Sequence, residues 1–287
     1  MNLPKEEKGI NVLSLFDGMS CGRIALDRLG IKVNRYLASE VDRDAIKVSK
    51  ANWPDIEHIG DVRKVKAVKL PKIDVIIAGS PCQGFSFAGR QLNFDDPRSA
   101  LFFEFVRIYK EIKAVNPQVY FLLENVQMRK DIKDEISRIM GVAPVRLNSA
   151  SVSAQNRVRL YWTDIPMAEY LPDLLDDCGA DMVLQDVLEN GFVDRDKAFC
   201  LDANYWKGGN LKRYFVKHSR QLVFCEDGSF RNLTPLECER LQTLPEGYTA
   251  HTSNTQRYRM IGNGWTVDVI VQLLRGLRYV VPIDYTK

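Results

Sequence analysis

Ile73-Asp74-Val75-Ile76-Ile77-Ala78-Gly79-Ser80-Pro81-Cys82-Gln83 decides the fold: an apolar, β-branched run delivers a proline-fixed cysteine into a glycine-bearing loop. An unbroken apolar run of this length reads as a strand of a parallel sheet, buried on both faces. Loops at the carboxyl ends of such strands are where open α/β sheets place their chemistry. A thiol held there on a stiff backbone is placed as a nucleophile, although cysteine is also a common small core residue.

Working outward, Val12-Leu13-Ser14-Leu15-Phe16 is a second short apolar run, breaking into Asp17-Gly18-Met19-Ser20-Cys21-Gly22 before a helical pattern through Ile24, Leu26 and Leu29. About twenty residues further, Tyr36-Leu37-Ala38-Ser39 ends in Glu40, where nucleoside-binding α/β folds hydrogen-bond ribose hydroxyls. A third acid, Asp61, closes the next unit. Gly18 and Gly22 do not complete Gly-x-Gly-x-x-Gly, which argues against a diphosphate and against a nicotinamide dehydrogenase. Asp17 inside the turn would repel phosphate and suits an ammonium group. A ligand with ribose, adenine and ammonium but no phosphate is S-adenosyl-L-methionine.

Further apolar runs deliver Glu124-Asn125-Val126 and follow Gln155-Asn156-Arg157-Val158-Arg159; Arg231 to Gln242 and Ile261-Gly262-Asn263-Gly264 come later. With Phe16-Asp17-Gly18 and Ser80-Pro81-Cys82, these ordered motifs span nearly the whole chain, which resembles the DNA cytosine-5 methyltransferase family. Trp265 and the stretch around Ser39-Glu40-Val41 are similar to the animal de novo branch, whereas Gln83-Gly84-Phe85-Ser86 is similar to bacterial and phage members.

The resemblance implies a catalytic set of Cys82, Glu124, Arg157 and Arg159: Cys82 adds to cytosine C6, Glu124 meets N3 and the exocyclic amine, and the arginines, two apart, point together at a flipped base. It implies cofactor contacts at Phe16, Asp17, Gly18, Ser20, Glu40, Val41, Asp61, Val62, Ser80, Pro81, Leu101, Asn263 and Trp265. Residues 83–96 look like a loop that closes behind the flipped base, and Gln83, Ser86 and Arg98 are the expected DNA contacts beside it. Met19-Ser20-Cys21 stands where the family pattern has Gly-x-Gly-Gly residues, and Gly264 where serine is usual.

Composition permits this. At 287 residues, 45% hydrophobic and 27% charged, the chain can bury a substantial core. Strand-like runs alternate with helical patterns over residues 10–162, with helices expected at 98–114 and 129–140. That is a Rossmann-like, doubly wound α/β mixed sheet. After Trp162 the alternation stops, and helical periodicity returns over 263–281. The expected division is a catalytic, cofactor-binding domain of residues 1–162 plus 250–287 and a small target-recognition domain of residues 163–249.

Forty basic and 37 acidic residues leave a net charge of only +3, so distribution is the informative quantity. No acid occurs between Asp202 and Glu226, yet Lys207, Lys212, Arg213, Lys217 and Arg220 do, among Tyr205, Trp206, Tyr214 and Phe215. This reads as a solvated basic surface or a face for double-stranded DNA, and the resemblance favours DNA, with Arg231 added to Lys207, Lys212, Arg213 and Lys217. Six cysteines without a Cys-x-x-Cys pair and three scattered histidines argue against metal. No run is long enough for a membrane span, and a reduced, cytoplasmic setting in a prokaryotic or phage-infected cell is expected, or the nucleus if the source is eukaryotic. Oligomeric state stays open. So do two rival readings, a tRNA cytosine-5 methyltransferase and a catalytically silent paralogue that binds DNA or a partner.

Overall fold

Seven strands form one sheet in a computed structural model that describes residues 9–81, 100–167 and 182–280. They are β1 (Ile10–Leu15), β2 (Val33–Ser39), β3 (Glu57–His58), β4 (Val75–Gly79), β5 (Tyr120–Val126), β6 (Val145–Asn148) and β7 (Val158–Thr163), in the order β3-β2-β1-β4-β5-β7-β6. β1 to β5 pair in parallel, and β7 runs antiparallel between β5 and β6. Cys82, Gln83, Ser86, Arg98 and the loop expected over 83–96 lie outside the described residues.

The two-sided burial expected of β4 is there. Val75 and Ile77 belong to one apolar cluster and Ile76 and Ala78 to another, and all four are fully buried. The first face is covered by α1 (Cys21–Arg28), through Ile24, Ala25 and Leu26; the amphipathic α2 (Arg43–Asn52) adds Ala45 and Val48 to the same cluster. On the second face α3 (Ala100–Val115) lays down Phe102, Phe105, Ile108 and Ile112, and α4 (Lys130–Met140) adds Ile136 and Met140. Both helices begin within two residues of the positions expected from the sequence.

The second lobe holds α5 (Leu211–Lys217) and a hairpin of β8 (Leu222–Phe224) and β9 (Phe230–Asn232), and leads into α6 (Pro235–Leu241), whose start is a capping box between Thr234 and Glu237. α7 (Asn254–Asn263), α8 (Val267–Leu274) and α9 (Leu277–Val280) follow. α8 returns to pack on α1. The periodic tail is therefore two helices, interrupted at Arg275-Gly276.

The lobes share one core: the cluster on the α1 face continues through Leu184, Ala198, Leu201, Tyr205, Val223 and Leu233. A lobe this short buries too little surface for a core of its own. Gly262 of α7 marks the join, since a β-carbon there would lie 2.3 Å from the carbonyl carbon of Asp202, 2.4 Å from its oxygen and 2.6 Å from the amide nitrogen of Ala203. Those are backbone atoms and cannot swing aside. Gly262→Ala is expected to destabilise the protein by about 2 kcal/mol through overpacking, read as a lower denaturant midpoint; an unchanged midpoint would mean that α7 and the second lobe are not in rigid contact.

Candidate active site

Chain order reverses between β1 and its neighbour β4, and a crevice opens at the carboxyl ends of the strands at such a point. β1 runs out into Phe16-Asp17-Gly18, β4 into Ser80-Pro81, and β5 carries Glu124 near its end. A cavity of about 370 Å³ is lined there by Phe16, Asp17, Gly18, Glu40, Ser80, Pro81, Glu124, Arg157, Arg159, Asn263 and Trp265. A second cavity of about 350 Å³ is lined by Phe16, Glu40, Val41, Asp61, Val62 and Leu101. Phe16 and Glu40 belong to both. Phe16 adopts φ 57°, a left-handed backbone that non-glycine residues rarely hold without a reason, and it does so where the cavities meet.

Glu40 closes the glycine turn onto β2: it accepts from the amides of Gly18 at 2.8 Å, Val41 at 2.7 Å and Asp42 at 2.8 Å. Asp17 accepts from Ser20 Oγ at 2.5 Å and Tyr36 Oη at 2.9 Å. Burial pushes its carboxyl up to about 6, against the hydrogen bonds from its neighbours. An acid so strained towards neutrality gains most from a cationic partner. At the far end, the Arg63 guanidinium on Asp61 draws that carboxyl down to about 2. The set fits the expected cofactor: a carboxylate for an ammonium, an acid at the end of β2 for ribose, and an apolar cleft of Phe16, Val62 and Leu101 for a base.

Glu124 is the buried acid of the first cavity, held from two sides. Arg159 Nε lies 3.1 Å from Oε1, and Trp265 Nε1 donates to Oε2 at 3.2 Å. Gly79 stands opposite Glu124 in the β4–β5 register. The next residue in β5, Asn125, is buried and donates to Ser80 Oγ at 3.0 Å, so the acid and the segment leading to Cys82 are tied together.

Three expected site residues take other work. Arg157 lines the cavity but spends its donors within the protein: it lies just before β7, is 3% exposed, and donates to the carbonyls of Leu201, Gly262 and Gly264 at 2.9, 3.1 and 2.8 Å. Alternation along an extended strand therefore fails to keep it parallel to Arg159. Ser20 is fully buried and lines neither cavity, because its left-handed backbone (φ 66°) turns its hydroxyl onto Asp17 and Ser49. Arg231 is engaged within the protein: its donors go to Asn190 Oδ1 and O, Asn232 O and both oxygens of the buried Glu237. Lys207, Lys212 and Lys217 are exposed, while Arg213 is half-buried with its Nε on Ser219.

The sequence reading missed Tyr36 on Asp17, Asn125 on Ser80 and the Trp265 indole on Glu124. Only the second carried a signal, a polar residue directly after a strand-end acid. The buried thiols Cys21, pushed up to about 12 by burial, and Cys238, also pushed well up by burial, are not placed to act as thiolates. Among the described residues no group of three or more His, Cys, Asp or Glu could hold a metal, and no helix is long and apolar enough to cross a membrane.

A family model described as C-5 cytosine-specific DNA methylase matches residues 10–140 and 183–278. The chain is 29% identical to the Type II methyltransferase M1.ScrFI of Lactococcus lactis subsp. cremoris, over 90% of this chain and 75% of that protein. It is 26% identical to the Type II methyltransferase M.HhaI of Haemophilus parahaemolyticus, over 93% of each. The Dnmt2 methyltransferase of S. pombe shares the fold, with a TM-score of 0.73 at 18% identity, covering 96% of this chain and 100% of that one.

The raised Asp17 carboxyl has two consequences of opposite sign. A carboxyl with a folded-state value above 3.8 adds stability at low pH that is lost as pH rises through about 6. The same ionisation favours a bound cation, so affinity for S-adenosylmethionine is expected to rise as pH climbs through about 6. Asp17→Asn is expected to raise the denaturant midpoint of the ligand-free protein at neutral pH while weakening the cofactor about tenfold, measured by titration calorimetry. Unchanged affinity would remove Asp17 from the ammonium site.

Proposed function

The chain belongs to the C-5 cytosine-specific DNA methylases, and from that footing we propose how its own residues carry methyl transfer from S-adenosylmethionine to cytosine C5. The bound cofactor supplies an electrophilic methyl group. What carries the proposal is the pairing of Gly79 with Glu124 across β4 and β5, because Ser80 and Pro81 then run out beside the acid and Cys82 is the next residue in the sequence.

Cytosine C5 is a poor nucleophile until C6 is saturated. The Cys82 thiolate adds to C6, and Glu124 supports N3 as charge enters the ring, by proton or hydrogen bond. Arg159 steadies Glu124 on its Oε1 side. After methylation the C5 proton leaves as a proton, the C5–C6 double bond re-forms and the thiolate is expelled. The target carbon is unreachable in a duplex, so the base must be flipped out, with Gln83, Ser86 and Arg98 as the proposed contacts near it. Asp17 and Gly18 take the methionine end of the cofactor, Glu40 the ribose, and Asp61 with Phe16, Val62 and Leu101 the adenine.

Double-stranded DNA is the proposed substrate, running along Lys207, Lys212, Arg213 and Lys217. Support comes from the exposure of the lysines and from the acid-free stretch that holds them. The division into a catalytic part, residues 1–162 with 250–287, and a recognition part, 163–249, belongs to this proposal, as does a cytoplasmic setting that keeps Cys82 reduced.

Incubation with tritiated S-adenosylmethionine and either duplex DNA or tRNA, followed by bisulfite sequencing of DNA from an expressing host, tests the reaction and its context together. Cys82→Ser is expected to abolish transfer with cofactor binding intact. Duplex DNA with 5-fluorocytosine at the target should give a cofactor-dependent band that survives denaturing electrophoresis and is absent in Cys82→Ser; normal methylation without that adduct refutes the thiol addition. Neutralising Lys212 and Arg213 together should weaken DNA binding about equally across sequences and flatten its salt dependence by up to about two counterions. An unchanged salt titration would move the DNA face elsewhere.

A further inference from the structure

Glu124 raises a problem of geometry. A carboxylate beside an arginine is drawn into a two-pronged fork, with both oxygens turned to the guanidinium. Such a fork would turn the acid away from any base entering the cavity. Here no such two-pronged hydrogen bond forms: Arg159 approaches Oε1 through Nε at 3.1 Å and gives an Nη hydrogen to the Val158 carbonyl at 2.8 Å. Oε2 is taken by the Trp265 indole N–H at 3.2 Å.

The indole is itself held in place. Gly264, just before it, has its carbonyl under Arg157 at 2.8 Å, and Thr266, just after it, donates to Gln242 Oε1 at 2.6 Å and accepts from Ser149 Oγ at 2.8 Å. On the strand side the pair is fitted to a glycine: a β-carbon at Gly79 would lie 2.9 Å from Trp265 Nε1 and 3.3 Å from Glu124 Oε2. Three separate segments thus converge on one carboxylate.

We propose that Trp265 is a positioning residue for methyl transfer: its indole N–H holds Oε2 of Glu124 apart from Arg159, so that the carboxyl stays turned to the target base, and Gly79 is the space that permits it. The proposal rests on the reading of Glu124 as the acid at cytosine N3. It gives Trp265 a role through the acid, distinct from a contact with the cofactor.

Trp265→Phe keeps an aromatic ring and removes only the donor. In single-turnover assays at saturating cofactor and DNA, it is expected to slow methyl transfer about tenfold, the order of one lost hydrogen bond to a charged group, with the dissociation constant for S-adenosylmethionine changed less than about twofold. In a Glu124→Gln background the same change should slow the residual rate less than about twofold, because the carboxylate it orients is gone. Gly79→Ala, which keeps the indole but crowds the pair, should reproduce the pattern. Equal slowing in both backgrounds, or a rise in the cofactor dissociation constant that accounts for the lost rate, overturns the proposal and makes Trp265 a cofactor contact.

A readout independent of turnover accompanies these rates. The indole N–H resonance of Trp265, one of four tryptophans and assigned by its loss in Trp265→Phe, should shift in Glu124→Gln. A resonance that does not move overturns the proposal whatever the rates. A wild type that methylates neither DNA nor tRNA while the resonance still answers Glu124→Gln overturns the assigned reaction alone and leaves the pair standing.

Discussion

The buried guanidinium of Arg157 is the interaction on which the arrangement hangs. A charge in an apolar interior is tolerated only where fixed dipoles replace its water. Here the carbonyls of Leu201, Gly262 and Gly264 do so, and they come from two segments that the chain places far from β7. By drawing those carbonyls to one point, Arg157 fastens the second lobe to the sheet and fixes the turn that presents Asn263 and Trp265 to the cavity. Burial holds its pKa below the ordinary arginine value, with the neighbouring charge of Arg159 acting the same way, yet the carbonyl cage keeps the site coherent.

Buried acids divide the remaining labour according to their partners. Glu237 is enclosed by Arg231 and the amides of Glu189 and Thr234, so it ties the start of the segment from Arg231 to Gln242 to the chain around Glu189. Glu239, fully buried, accepts from the amides of Gly247 and Thr249 and pairs with Arg257 at 3.1 Å, pinning the turn after α6. Asp17 is the opposite case. It is pushed towards neutrality by burial, and its partners Ser20 and Tyr36 are neutral hydroxyls, not a guanidinium.

Phe16, Glu40 and the two adjoining cavities show why one crevice can hold a long, mixed ligand. The glycine turn after β1 is closed by Glu40 from β2, so the polar half of the site is built by two adjacent strands, and the apolar half by Val62 and the start of α3. Glu124 and the segment leading to Cys82 belong to β5 and β4 on the other side of the reversal. Cofactor and target base would meet over the sheet's switch point, each served by its own strands.

The sequence by itself determined the sheet and its crevice. An unbroken apolar run such as Val75 to Ala78 must be covered on both faces, and a short strand, glycine turn and helix repeated with acids at fixed spacing leave little choice of fold. It also located Glu124, Asp17 and Glu40, because strand-end acids are visible as breaks in apolar runs. What only the tertiary structure decided is which partner each charged side chain takes. Arg157 and Arg159 are one residue type at a spacing that says "same side", and Arg231 sits in a motif of the same family pattern, yet one pairs with Glu124 while two are enclosed by carbonyls or carboxylates from distant segments. Those partners, Leu201, Gly262, Gly264, Asn190 and Glu237 for the enclosed pair and Trp265 for Glu124, are brought up by long-range packing. No local spacing encodes that, because the free energy of a charged side chain is set by whatever the fold places around it.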